Sequence, residues 1–409
     1  MESRRAYKVE LDPTEAQRRL LRRHAGAARF AWNWGLARRI AEYRATGKSS
    51  RAMEQHRQLN ALKKAEFPWM YEVSKCAMQE ALRDLDRAFD AFYRRLEGKR
   101  QGKHKGKVGF PRFKSRKRGL GSFRLTGSIR VEEGRIRLPR LGWIRLKERG
   151  YIPTDRRILS ATVKEEAGRW FVSVLVTEEI AVEEATGPAV GVDLGVNALA
   201  TCSDGRVFEN PRSLPRHEKG RVSNPPLRRL YRQLSRRKRG GRNWEKTRRK
   251  ISRLHYRIGC IRRDALHKAT GAIVAKTKPP QERPAVVVIE DLNVGGMLQN
   301  QRLAGAVADA SFGEFRRLLS YKASWYGVRL MAADRSYPSS KRCSACGSVK
   351  VGLSPSERTF VCEECGAVLD RDLNASLLLA STVSSTGLRR IGCVPSGARG
   401  RCPSWLRAG

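Results

Sequence analysis

Acidic residues are scarce in this chain: 40 Asp and Glu stand against 84 Lys and Arg, a formal charge of +44 on 409 residues. A chain so charged repels itself unless an anionic partner neutralises it, and nucleic acid does so while releasing condensed counterions. Long hydrophobic runs are missing as well. No stretch approaches the ~18–20 apolar residues of a membrane-spanning helix, and Ala285-Val286-Val287-Val288-Ile289 is far too short. The opening Met1-Glu2-Ser3-Arg4-Arg5 lacks the apolar segment of a secretory signal. Nor can nine cysteines, an odd number, all pair in disulfides. These absences point to a soluble intracellular protein with no membrane partner. Hydrophobic residues make up 40%, which excludes a wholly disordered chain, and the length allows two or three domains.

Four of the cysteines are spaced as Cys343-x-x-Cys346 and Cys362-x-x-Cys365, each pair followed by a glycine, Gly347 or Gly366. Four thiolates at this spacing suit tetrahedral zinc, and a closed shell of sulfur leaves no position for water, so the role is structural. The bland alternative is four unrelated buried thiols. Cys76, Cys202, Cys260, Cys393 and Cys402 lack such a pattern and read as ordinary reduced thiols.

Tyr7–Leu11 alternates as a short strand, and Thr14 then opens a helix to about Gly47, with Gln17 completing a capping box. A second helix, Lys75 to about Gly98, carries Met78, Leu82, Leu85, Phe89, Phe92 and Leu96 at steps of four and three, a core-facing stripe. Residues 99–118 are rich in Gly, Lys and Arg. They include Phe110-Pro111-Arg112-Phe113-Lys114, readable as a solvated linker or as a phosphate-binding loop with an aromatic to stack on a base. Short alternating runs at 123–125, 129–131, 135–138 and 143–146 precede a hairpin, 159–164 and 169–176, turning at Glu166-Ala167-Gly168. Such a series suggests a small β-barrel that the Tyr7–Leu11 strand joins, with the helices inserted in it. Residues 226–277 form a basic helical pair broken at Gly240-Gly241. Its Arg237, Lys238, Arg248 and Arg249 suggest a nucleic-acid groove where solvated charge would be the default. Beyond Ser381 the chain has no periodicity and is expected to be a disordered tail.

Three acids stand where apolar packing should prevail. Asp193 interrupts the apolar run Val190–Val196, Glu290 ends the strand 285–289, and Asp372 opens the last helix. Singly, each has a bland reading: a turn residue at 193, helix caps at 290 and 372. Converging, they would repel one another unless a divalent cation relieved the repulsion, and oxygen-only ligation suits Mg²⁺ or Mn²⁺. Two ions about 3.5–4 Å apart would activate a water and stabilise the leaving oxygen of an in-line phosphodiester cleavage.

With these stretches in view, the chain resembles the TnpB family, RNA-guided nucleases encoded by bacterial and archaeal insertion-sequence transposons and related to compact type V CRISPR effectors. The resemblance rests on Gly109-Phe110-Pro111-Arg112-Phe113-Lys114, Val192-Asp193-Leu194-Gly195 and Arg263-Asp264-Ala265-Leu266-His267-Lys268. It continues through Glu290-Asp291-Leu292-Asn293-Val294, Tyr337-Pro338-Ser339-Ser340-Lys341 and Asp370-Arg371-Asp372-Leu373-Asn374-Ala375, in family order over residues 5 to about 380. It implies a multidomain α+β fold. A RuvC-type, RNase-H-like nuclease domain would span 185–334 and 367–381, with the basic helical pair 226–277 in it and a zinc ribbon inserted at 335–366. A wedge-like β-barrel would comprise 1–12 and 108–184, a helical recognition lobe 13–107, and the tail 382–409. The resemblance places a catalytic triad on Asp193, Glu290 and Asp372, holding magnesium or manganese, and structural zinc on the four cysteines. It implies a guide RNA derived from the mobile element, double-stranded target DNA, and a short DNA motif beside the target touched by Lys75 and Gln79. It implies a place in the prokaryotic cytoplasm with the nucleoid. Two other readings remain: a strand-joining transposase on the same metal-holding fold, and a non-enzymatic nucleic-acid-binding regulator.

Overall fold

The computed structural model describes residues 2–104, 106–116, 119–212, 225–354, 357–384 and 389–391. Two compact units divide the chain, residues 2–179 and residues from 180 onward.

In the first unit β1 (Glu2–Asp12) leads into α1 (Glu15–Thr46). The Thr14 hydroxyl accepts from the Gln17 N–H at 3.3 Å while the Thr14 N–H donates to Gln17 Oε1 at 3.0 Å, the expected capping box. Gly47, left-handed at φ 70°, ends the helix. A helix that periodicity missed, α2 (Ala52–Leu62), buries only Ala52, Gln55 and Leu59, too few to mark it. The long helix α3 (Lys75–Arg100) follows, and its stripe is buried from Met78 to Phe89, whereas Phe92 and Leu96 are only partly buried.

Six further strands complete the sheet: β2 (Ser122–Leu125), β3 (Arg130–Glu132), β4 (Arg135–Leu138), β5 (Gly142–Leu146), β6 (Arg157–Glu166) and β7 (Arg169–Glu179). Their order is β2-β6-β7-β1-β5-β4-β3. Ala167 and Gly168 turn the β6–β7 hairpin with φ 55° and 83°, the left-handed pair a two-residue turn needs. β1 pairs with β7 from Glu2 to Leu11 and with β5 at Leu11 and Asp12. Among the described residues no ladder joins the end strands β2 and β3. The series read as a small β-barrel thus forms one seven-stranded sheet, which the β1 strand joins at its centre. The helices are not a separate body: Leu21, Ala28 and Leu82 share one core with Phe123, Val163, Val172 and Val174.

The second unit opens with β8 (Val190–Asp193), β9 (Ala198–Cys202) and β10 (Val207–Glu209), then the basic helices α4 (Pro225–Ser235) and α5 (Arg242–Ile273). Next come β11 (Val286–Glu290), α6 (Val294–Met297), α7 (Ala304–Ala310), α8 (Phe312–Trp325) and β12 (Arg329–Ala333). A small hairpin, β13 (Thr359–Val361) and β14 (Val368–Asp370), precedes α9 (Arg371–Ser381) and β15 (Arg389–Arg390). The main sheet runs β10-β9-β8-β11-β12-β15, with β8, β11 and β12 parallel and the outer strands antiparallel. One face packs Val190, Val192, Val287 and Ile289 under Leu266, Ile273, Phe315 and Leu318 of α5 and α8. The other face packs Val286 and Val288 against Leu379 of α9.

The chain after Ser381 departs from the structureless tail expected of it. Residues 382–384 extend α9 as a 3-10 turn, Arg389 and Arg390 pair with Ala332 and Met331 of β12, and Ile391 packs on the core. The rest of that tail, with Cys393 and Cys402, lies outside the described residues. No helix among the described residues is long and apolar enough to cross a membrane.

Candidate active site

Strand alternation sorts the acids. On β8, Val190 and Val192 face α5 and α8, so Gly191 and Asp193 face the α9 layer. On β11, Val286 and Val288 face α9, and Glu290 continues that face. Val192 lies opposite Ile289 across the parallel ladder, which sets Asp193 and Glu290 side by side at the carboxyl ends of adjacent strands. There the chain order reverses, β8 leading away to β9 and β11 to β12, the place where open α/β sheets form their ligand crevices.

Glycine brings the third acid. A Cβ on Gly191 would drive into the Ser376 carbonyl and lie 2.5 Å from the Ala380 nitrogen, so α9 rests directly on the β8 backbone. One turn before Ser376 comes Asp372, and a Cβ on Gly195 would stand 3.9 Å from its Oδ2. Asp370 is the helix cap, its Oδ1 accepting from the N–H groups of Asp372 (2.9 Å) and Leu373 (3.0 Å), which frees the Asp372 carboxylate from capping. Asp291, the neighbour of Glu290, is likewise occupied elsewhere, bonded at 2.8 Å to Arg316 and to Arg335, and those guanidinium groups lower its pKa.

Burial and neighbouring charge act together on two of the acids. Burial raises the Asp193 carboxyl well above its usual pKa, and the charges of Glu290 and Asp372 push it further. Burial also raises Glu290, against a 2.6 Å hydrogen bond from the Ser339 hydroxyl that favours its charged form, and Asp372 adds to the rise. Clustered, desolvated carboxylates with only oxygen to offer fit a hard divalent cation. They are more widely spaced than the cysteines: among the described residues only the cysteine quartet has all its ligand atoms within 4.8 Å of one another.

Cationic and amide groups at the rim escape a reading of sequence. Arg358 Nη1 lies 3.8 Å from Asp372 Oδ1, as does Arg371 Nε. In the orientation its neighbours require, the Asn197 amide oxygen accepts from Arg358 Nη2 at 2.7 Å. Ser339 and Asn374 fall inside stretches that resemble the family, whereas no pattern marks Arg358 or Asn197.

The four sulfurs form a second centre. Cys343 Sγ lies 3.7 Å from Cys365 Sγ, and Cys346 Sγ 3.5 Å from Cys362 Sγ. Sulfurs bound tetrahedrally to zinc at ~2.3 Å stand about 3.8 Å apart, so the quartet fits a metal of that kind. Each pair closes a matching knuckle: Gly347 N–H donates to Cys343 O and Gly366 N–H to Cys362 O, with φ 80° and 68° at the glycines. Buried Asn374 ties the first knuckle to α9, accepting from Ser344 N–H (2.9 Å) and donating to Arg342 O (2.7 Å).

The residues read as nucleic-acid contacts divide. On α4–α5, Lys238 and Arg249 are exposed with no side-chain partner among the described residues. Arg237 instead bonds to Asn243 O (2.7 Å) and the Thr247 hydroxyl, and Arg248 to Glu245 (2.9 Å), so both are engaged within the protein. On α3, Lys75 is exposed at the first turn and Gln79 partly buried four residues on. Lys75, Arg83 and Lys63 add to burial in lowering the pKa of His56, marking a cationic patch there. Of the 110–114 stretch, Arg112 is exposed, whereas Phe110 packs on Phe89 and Phe92 and the Lys114 ammonium covers the Trp32 ring at 3.7 Å.

Residues 171–301 match the family model described as "Probable transposase", residues 312–379 the "Cas12f1-like, TNB domain", and residues 1–48 a "Helix-turn-helix domain". A Streptomyces pristinaespiralis protein named "Putative RNA-guided DNA endonuclease" is 35% identical over 95% of this chain and 91% of its own length. The Escherichia coli K12 protein "Putative RNA-guided DNA endonuclease InsQ" is 33% identical over 92% and 91%. This chain belongs to the TnpB family. A solved Cas12f1–sgRNA–target DNA complex shares the fold at TM-score 0.52 and 14% identity, covering 92% of this chain and 84% of the other. In this TnpB-family chain the match described as helix-turn-helix is a strand followed by one unbroken helix, β1 and α1.

Proposed function

We propose that the chain is an RNA-guided DNA endonuclease whose active site is Asp193, Glu290 and Asp372. The two relatives described above bear that activity in their names, and the intact acids suit it. One observation carries the reading: two carboxylates at the carboxyl ends of adjacent strands, with a third delivered by a helix that rests on a glycine. The sheet order, antiparallel strands followed by parallel ones, supports reading the second unit as an RNase-H-like RuvC domain, and the seven-stranded sheet of the first unit would be the wedge. The helices α1–α3 would form the recognition lobe, gripping guide RNA and reading the target-adjacent motif through Lys75 and Gln79. Lys238 and Arg249 would track backbone phosphates, since base pairing to the guide supplies the sequence specificity.

Asp193, Glu290 and Asp372 would hold divalent magnesium or manganese, which when bound supplies Lewis acidity for the attacking water and the leaving oxygen. The protein's own groups prepare the site. Ser339 holds Glu290 by donating to it, Asp370 spares Asp372 from capping, and Arg358 offers a guanidinium beside the acids for the scissile phosphate. Water adds to phosphorus and the P–O3′ bond breaks, leaving 5′-phosphate and 3′-hydroxyl ends. Zinc on Cys343, Cys346, Cys362 and Cys365 would hold the knuckles that Asn374 fastens to α9. The match described as a transposase favours one rival, strand transfer without RNA. Purified protein treated with ribonuclease before a plasmid-cutting assay decides between them: the guide reading requires cutting to vanish, and persistence would support the rival.

A further inference from the structure

The segment 108–115 contains no helix or strand, yet it is held from several sides. Trp32 Nε1 donates to the Arg112 carbonyl at 3.0 Å. The Asn33 amide clamps Lys114 at both ends of its peptide unit, donating to its carbonyl (2.9 Å) and accepting from its N–H (2.7 Å). The Lys114 ammonium covers the Trp32 face, and Phe110 sets its ring edge-on against Phe89 (5.4 Å) and Phe92 (5.3 Å). Phe110 and Lys114 therefore brace the strap. Between them Arg112 and Phe113 have no side-chain partner among the described residues, and Phe113 is 54% exposed.

Single exposed hydrophobic residues are common and need no purpose. A connecting loop, however, needs only water for its backbone groups, whereas here a tryptophan and an asparagine are committed to fixing the peptides on either side of Phe113. Rigid presentation removes the ordering cost that an aromatic on a free loop would meet on binding. We infer that the strap is a seat for one unpaired nucleotide, with the Phe113 ring against the base and the Arg112 guanidinium on a neighbouring phosphate. A π-face beside a cation is the chemistry that takes single-stranded nucleic acid without regard to sequence. The inference rests on the nucleic-acid reading above, and guide RNA and a displaced DNA strand share this chemistry.

Oligouridylate and oligothymidylate of about 16 nucleotides, presented to the full chain at raised salt to suppress nonspecific charge pairing, test it. Phe113→Ala should weaken binding to one or both by about ten-fold, and Phe113→Tyr should restore it. Ultraviolet crosslinking of the wild-type chain should place a nucleotide adduct on Phe113. A uridine adduct alone assigns the seat to RNA, a thymidine adduct alone to DNA, and both to any single strand. Phe110→Ala should lower the melting temperature, separating brace from seat. Unchanged affinity of Phe113→Ala for both probes, or an adduct-free Phe113, overturns the seat. Failure of the wild-type chain to cut DNA while the adduct forms would instead sink only the endonuclease reading.

Discussion

Gly191 lies beneath the Ser376 carbonyl so closely that no side chain fits between them. Gly191→Ala must push α9 off β8 and carry Asp372 with it. Overpacking of this kind costs about 1–3 kcal/mol, and at about 2–4 °C per kcal/mol for a domain of this size the melting temperature should fall by several degrees. Cutting should be lost with RNA association kept, since the contact lies in the second unit. Wild-type cutting by Gly191→Ala would show that α9 is not seated as described.

Ser339 opposes burial at Glu290 by donating to its carboxylate at 2.6 Å. Ser339→Ala removes that donor, so the Glu290 pKa rises further and the acidic limb of the pH–rate profile should move to higher pH. Hydrogen bonds to charged groups are worth about 1.5–3 kcal/mol, so cutting near neutral pH should drop at least several-fold. A profile that falls in height without shifting would mean Ser339 merely packs.

Asp193 makes stability depend on pH in a definite sense. Its raised pKa means that the folded, metal-free chain keeps a proton there that the unfolded chain releases. This stabilisation is complete below the ordinary aspartate pKa of about 3.9 and is lost as pH rises through the raised folded value. Melting curves in chelator should therefore decline from acid toward neutral pH, in part through this group. Asp193→Asn should flatten that slope while abolishing cutting and sparing RNA association. Magnesium should raise the wild-type melting temperature most at the higher pH. A slope unaltered by Asp193→Asn places the linkage elsewhere.

Arg358 reaches Asp372 and Asn197 from the segment between the cysteine pairs. Arg358→Ala should reduce cutting by ten-fold or more with zinc content and melting temperature near wild type, and Arg358→Lys should recover part of it. A matching loss of zinc would assign the residue to folding of the module.

Removing metal from the cysteine quartet should reach the acids through Asn374, which bonds the first knuckle to α9. Metal analysis should find about one zinc per chain, the content of a four-thiolate site. Cys343→Ser should lose it and cut poorly even in excess magnesium. Asn374→Ala should keep the zinc yet lose activity, since only the tether is gone. Full cutting by Asn374→Ala would uncouple the two centres.

The cysteine quartet, the first helix cap and the candidate acids were legible because their signals are local. Cys-x-x-Cys pairs followed by glycine, a threonine three residues before a glutamine, and acids closing apolar runs each need only neighbours to be read. The Phe110–Lys114 strap was half legible: its aromatic and basic character showed, but not that Phe110 and Lys114 brace the fold while Phe113 stays exposed.

Charge, cysteine spacing and three misplaced acids are properties of the sequence, and they determined the nucleic-acid partner, the quartet of thiols and the candidate carboxylates. What surrounds each of two neighbouring acids is a different kind of fact. Glu290 faces α9 while Asp291 meets arginines, and Asp370 caps while Asp372 is left free, because strand parity and helix capping become definite only once β8, β11 and α9 are packed together. Arg358 and Ser339 stand beside those acids for the same reason: they are remote along the chain and adjacent only in the fold.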